Sequence, residues 1–235
     1  MIESQRAVRL GSVAAVAGSA LAGLGNLAHP VTPRGDHEGV ATVIAESGAW
    51  TPIHLVIIAG IVLMYVGVVI LAQTMRERTP MLSRFVWPAA TAGAVLGLLT
   101  LALDGVAAKQ LADAWAASTS KSVADVALVA VNANETVNFT LAGLFNMTFA
   151  GYPFLLLGVA IVLGGHYRGW LGWIAIVAGA FSVTAGMFQL VTGVPTTTSL
   201  VLTVIGPSII TLWLAIMGVV MWPRQGDETN RRAGP

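Results

Sequence analysis

Four histidines are the only imidazoles in the chain, and three of them, His29, His37 and His54, fall in its first quarter. Neutral imidazole ligates zinc, copper or haem iron through one ring nitrogen, while the other needs a carbonyl or carboxylate to fix the ring. His29, His37 and His54 are therefore the metal-ligand candidates, with a divalent metal or haem as the cofactor. They show no HxxxH or HExxH spacing, so nothing local forces them onto one ion. The competing reading makes His29 and His54 helix-end residues that bond carbonyls or interfacial water. His166, beside Tyr167 and Arg168, reads as a solvated loop residue.

Asp104, Glu135, Asn138 and Asn146 stand in largely apolar surroundings, and with His54 they make the candidate ligand-binding set. At about 100° per residue, Glu135, Asn138, Ala142, Asn146 and Phe149 share one narrow face of a single helix. A helix this apolar belongs in a bilayer, where an amide or carboxylate turned to lipid costs several kcal/mol. The stripe must therefore face other helices or a wet cavity. Asp104, if drawn among the helices, could carry a proton or receive a cation; left at the interface, it would pair with Lys109, Arg34 or Lys121 at little consequence. The asparagines have a plainer use as interhelical glue, worth about 0.6 to 2 kcal/mol per contact. Asn134, Asn138 and Asn146 each open an N-x-[ST] match, but matches at or within a membrane span are chance.

Several chemistries are excluded. The chain holds no cysteine, which removes disulfides, thiolate metal sites, iron–sulfur clusters and thiol catalysis. A net charge of +1 offers no basic face, so nucleic acid is not a partner. No Ser-His-Asp order, phosphate-binding glycine loop or paired-carboxylate spacing is present, and the reading leans away from an enzyme.

Membrane helices must position these residues. Hydrophobic residues make up 56% of the 235 positions and charged residues only 10%, where soluble domains carry about 25% charged. Six stretches are long and apolar enough to cross a hydrocarbon core of about 30 Å. They cover 8-28, 52-74, 85-108, 138-164, 168-191 and 199-221. The expected fold class is all-α, a polytopic bundle in which 1-223 form the transmembrane domain and 224-235 a polar cytoplasmic tail. Ala28 could end a cleavable signal peptide, but Asn26, three residues before the cut, fits poorly, so the first stretch is read as a retained span.

Between the first two spans the run from Gly39 to Ser47 is too short to cross and reads as an interfacial helix. Thr51-Pro52 reads as an N-cap followed by proline in the first helical position, which places His54 in the first turn of the second span. The third and fourth helices run past the membrane as a projecting hairpin, with Lys109 and Asp113 paired at i, i+4. Gly151-Tyr152-Pro153 and Gly206-Pro207-Ser208 mark bends that could act as hinges. Gly18, Ala22 and Gly25 on the first helix, and Gly93 and Gly97 on the third, invite close helix approach. Trp170, Trp173 and Trp222 read as an interfacial aromatic belt.

Basic residues set the orientation. One side carries Arg6, Arg9, Arg76, Arg78, Arg84, Arg168, Arg224, Arg231 and Arg232, and the other only Arg34, Lys109 and Lys121. The richer side is expected to be cytoplasmic, with both termini there and the polar residues gathered at the outer end.

Asn26, His29-Pro30 ending the first helix, an acidic connector, Trp50, and His54-Leu55 opening a glycine-containing second helix form a pattern over residues 26 to 71. With the six-span layout, the chain resembles a bacterial, actinobacterial-type domain-of-unknown-function family of small integral membrane proteins. The resemblance implies a six-helix fold in a bacterial plasma membrane and brings no activity with it.

Three functions follow as expectations. The leading one is an outward-facing polar pocket of His54, Asp104, Glu135, Asn138 and Asn146 that binds, and could transport, a small ligand or ion. The transport version is weakened because the two halves show no inverted repeat. A metal or haem site on His29, His37 and His54 is the second. In the third the chain is a non-catalytic or assembly subunit whose small-residue face at Gly93 and Gly97 packs against another protein. The expected partners are the lipid bilayer, a small ligand or cation, and a second copy or a membrane partner protein.

Overall fold

A computed structural model describes residues 2–194 and 196–222 of the chain. Pro195 and the tail 224–235 with its three arginines lie outside them.

Among the described residues there are nine α-helical segments, eight of which build six rods long and apolar enough to cross a membrane. Helix α1 (Ile2–Ala28) is followed by the short α2 (His37–Glu46) and by α3 (Trp50–Thr74). The third rod is α4 (Pro80–Ala102), a wide π turn at Leu103–Ala107, and α5 (Ala108–Ala116). The fourth is α6 (Lys121–Phe145), a second π turn at Asn146–Gly151, and α7 (Tyr152–Gly164). Helices α8 (Gly169–Thr192) and α9 (Thr197–Met221) complete the bundle. The protein is an all-α, multi-pass membrane bundle with a short helix between its first two spans. The fourth rod has 44 residues, which at 1.5 Å each is about 65 Å, twice the hydrocarbon core. It and the third rod therefore form a hairpin longer than a bilayer.

Small residues set the packing. A Cβ on Gly18 of α1 would strike the backbone of Gly60 and Met64, and one on Gly60 would strike Ala22 and Gly18, so α1 and α3 meet backbone to backbone. Helices α7 and α8 do the same through Gly158 and Gly172. Gly93 and Gly97 face their own chain: Phe149 backbone covers the first and the Phe145 ring the second. This corrects the expectation that these two glycines receive another protein, because stacked Phe145 and Phe149 already fill the space. Around these contacts lies an apolar core that includes Met64, Val68, Leu71, Phe154, Leu157, Ile161, Trp213 and Met217.

Two local expectations change. Thr51 does not cap α3: the helix starts at Trp50 after Ala49, and the Thr51 hydroxyl donates instead to the Gly105 carbonyl at 2.7 Å. Tertiary pairing outcompetes the cap. The break expected at Gly151-Tyr152-Pro153 is the π turn just before it. Pro153 has no N–H for the Phe149 carbonyl, and its ring would crowd that oxygen in a regular helix, so a wider turn relieves both. Proline also lies inside α9, which runs unbroken through Pro207.

Candidate functional site

Helix α2 packs on the hairpin of α5 and α6 and on the start of α3. Asp36 caps it by accepting from Gly39 N–H at 2.9 Å, and its buried Ile44 packs with Trp50, Ala108 and Ala112. Lys109 donates to the Ala45 carbonyl at 3.1 Å near the helix C-terminus, where a cation is favoured, and also pairs with Asp113 as its spacing suggested. Trp50, 1% exposed, donates its indole N–H to the Asp104 carbonyl at 2.7 Å. With Thr51 on Gly105, this anchors the π turn to the start of α3. Gly105 is required there, because any Cβ would run into Cβ and Cγ of His54.

The site follows from these anchors. His29 sits just past the end of α1, and its Nδ1 donates to the Pro30 carbonyl at 2.8 Å. His54, buried one turn into α3, donates from Nδ1 to the Trp50 carbonyl at 2.7 Å. A carbonyl only accepts, so each Nδ1 carries the hydrogen and each neutral ring presents a lone pair at Nε2. The two Nε2 atoms approach to 3.3 Å, and Asp104 Oδ2 lies 3.1 Å from that of His54. Trp50 holds both rings, with centroids 4.6 Å from His29 and 5.1 Å from His54. Burial pushes His29 below the ordinary imidazole range, assisted by His54 and opposed by Asp104 and the Pro30 carbonyl.

With the rings in that tautomer, three acceptor atoms face one another, an arrangement that a proton or a cation would satisfy. Among the described residues, His29, His54 and Asp104 form the group whose ligand atoms all lie within 4.8 Å of one another. A proton on His54 Nε2 would satisfy Asp104 but leave His29 Nε2 without a donor. A metal ion would take all three.

The other candidates separate. His37 is exposed at the first position of α2, outside the group. Glu135 and Asn138, one turn apart on α6, each bury a side-chain oxygen that has no hydrogen-bond partner. Asn134 donates to the Leu103 carbonyl at 3.3 Å, which brings this part of α6 level with Asp104, and Glu135 lies in electrostatic range of Asp104 and His54. Asn146 is buried elsewhere, donating to Gln189 Oε1 at 2.6 Å, so it ties α8 to the second π turn. His166 stands exposed in the loop after α7, as its surroundings suggested. Trp50, Thr51 and Gly105 were not read as site residues. The one local trace is that Trp50 and His54, four apart, share a helix face.

No protein-family model matches the chain, and neither a curated protein nor a solved structure matches it significantly, so the resemblance to a domain-of-unknown-function family is tied to no particular one.

Proposed function

We propose that the protein binds a divalent first-row transition-metal ion at one end of its membrane bundle, through His29 Nε2, His54 Nε2 and the Asp104 carboxylate. The observation that carries this reading is the convergence of two imidazoles whose lone pairs are directed inward by their own Nδ1–H bonds. Metal–ligand bonds of about 2.0–2.2 Å at a near-tetrahedral angle separate neighbouring ligand atoms by about 3.3 Å. The His29–His54 and His54–Asp104 spacings of 3.3 and 3.1 Å are close to that edge length, and His29 and Asp104, within 4.8 Å of each other, would draw together around an ion. A set of two nitrogens and a carboxylate without sulfur suits zinc or ferrous iron rather than cuprous copper or calcium. The Nδ1–carbonyl bonds are the outer supports such ligands ordinarily have.

Three protein ligands leave a coordination position for an exchangeable group, unlike closed structural sites. Glu135 and Asn138 offer acceptor oxygens nearby, and a metal-bound water would supply the missing donors. This reading narrows the small-ligand pocket to a cation site and omits Asn146. Two open cavities, of about 270 and 420 Å³, are lined by residues of other regions, among them Arg76, Arg84 and Trp87 for the first and Ser12, Val16 and Gly218 for the second. Haem suits the geometry poorly, because two Nε2 atoms 3.3 Å apart leave no room for a macrocycle between the rings.

Metal analysis of protein purified in detergent, stripped with chelator and reloaded with Zn²⁺ or Co²⁺, tests this. One ion per chain is expected, with Co²⁺ giving a visible ligand-field band. His54→Ala and Asp104→Asn should remove both. Equal metal content in the wild type and both variants would overturn the assignment.

A further inference from the structure

The end of the bundle opposite the metal ligands carries a different feature. Where α3 ends and α4 begins, a cleft of about 270 Å³ is lined by Ala72, Gln73, Arg76, Ser83, Arg84 and Trp87. Arg76 lies two residues beyond α3, and Ser83, Arg84 and Trp87 fall in the first two turns of α4. Ser83 and Trp87, four residues apart, share a helix face. Trp87 is 46% exposed, as an indole at a membrane interface should be.

The charges in this cleft are unspent. Among the described residues neither Arg76 nor Arg84 takes part in an ion pair or side-chain hydrogen bond, whereas the neighbouring Arg78 is committed to the Gly164 carbonyl at 3.0 Å. A second observation is independent of the arginines. Ser83 is only 4% exposed, yet its hydroxyl has no hydrogen-bond partner. A buried hydroxyl without a partner is costly, and one lining a cleft invites a ligand atom to supply it.

We infer that this cleft binds the headgroup of an anionic phospholipid in the leaflet at the arginine-rich end. Guanidinium groups pair with phosphate oxygens through two parallel N–H bonds, and basic pockets between membrane helices are suited to such headgroups. The Ser83 hydroxyl would donate to a phosphate or ester oxygen. Ala72 and the Trp87 ring would lie beside the glycerol backbone and the start of an acyl chain, a contact that a soluble anion cannot use. The site is remote from His29, His54 and Asp104 and stands or falls without them.

Native mass spectrometry of the full chain in detergent, titrated with phosphatidylglycerol or phosphatidylcholine, tests the inference. Wild-type protein is expected to retain phosphatidylglycerol in preference to phosphatidylcholine. Arg76→Gln with Arg84→Gln should weaken phosphatidylglycerol retention about tenfold or more, since charge-assisted hydrogen bonds are lost. Arg9→Gln with Arg168→Gln, which removes equal charge at the same end outside the cleft, should leave retention unchanged. The thermal midpoint in lipid-free detergent checks that each variant is folded. If the double glutamine variant does not fold, Arg76→Lys with Arg84→Lys keeps the charge, loses the paired geometry and should still weaken retention.

Equal binding of the two lipids would overturn the inference. So would equal losses in the cleft and distal glutamine variants. Displacement of the lipid by millimolar inorganic phosphate would show a soluble-anion site and overturn it as well.

Discussion

Trp50 shows how much of the site rests on a single side chain. Its N–H holds the Asp104 carbonyl, and its ring packs on both histidines. Trp50→Phe keeps an aromatic ring but leaves that carbonyl without its donor, a loss of about 1–3 kcal/mol where the group is buried. We expect a lower unfolding midpoint and a metal affinity reduced about 10–100-fold, as when other outer supports are lost. A Co²⁺ titration equal to wild type would remove Trp50 from the positioning role. His166 gives a separate test outside the membrane. Although the residue is largely exposed, partial desolvation of the ring, reinforced by Arg78, pushes its imidazole below the ordinary range, so the folded state favours the neutral ring. Its contribution to stability is complete above the unfolded value near 6.5 and is lost as pH falls through the lower folded value. His166→Asn should therefore flatten the decline of the thermal midpoint on acidification; identical pH profiles would contradict the burial argument. At this scale residue type was informative: His29, His54 and Asp104 were candidates because few side chains in the chain can ligate or titrate. Their grouping was hidden, since Asp104 lies fifty positions beyond His54 and no local spacing joins them.

Among the elements, the π turns deserve most of the credit for placing polar groups. One carries Asp104 and the other Asn146, and such turns recur at functional sites because they free carbonyls and re-aim side chains. Gly105→Ala probes the first. Intrinsic propensity favours alanine over glycine in a helix by about 1 kcal/mol, so the change would ordinarily stabilise. Here the added Cβ meets His54, and packing wins. The expected outcome is a lower thermal midpoint together with weakened Co²⁺ binding, and a raised midpoint would show that the contact relaxes freely. Asn146→Leu probes the second turn: losing the bond to Gln189 should cost about 0.6–2 kcal/mol, the range for interhelical hydrogen bonds in membranes, measured by reversible unfolding in detergent. The helices themselves were legible from apolar runs of sufficient length. Pro153 signalled a break near the second wide turn, but nothing in Leu103–Ala107 signalled the first, which depends on Trp50 and Thr51 arriving from another helix.

For the whole molecule, six crossings place the hairpin tip and the loop between α7 and α8 on opposite sides of the bilayer. Because the chain has no cysteine, single reporters are free of background. Thr119→Cys at the tip and Gly169→Cys at the start of α8 should react with an impermeant maleimide from opposite sides. The excess of arginine at the α8 end predicts that whole cells expose only the former. Labelling of both from one side would refute the six-span path, and labelling of Gly169→Cys alone would invert the orientation.

Membrane character, the number of spans, the short helix after the first and the length of the projecting hairpin all follow from sequence alone, because hydrocarbon imposes a minimum apolar length and forbids unpaired backbone. Those constraints act locally and can be read residue by residue. The tertiary structure decided which polar groups meet. It placed Asp104 rather than His37 beside the two histidines, turned Thr51 from a cap into an anchor, paired Asn146 with Gln189, and filled the Gly93 and Gly97 face with the chain's own phenylalanines. Each of these outcomes is a contact between helices far apart in sequence, set by where small residues let backbones approach, and no spacing within one helix encodes it.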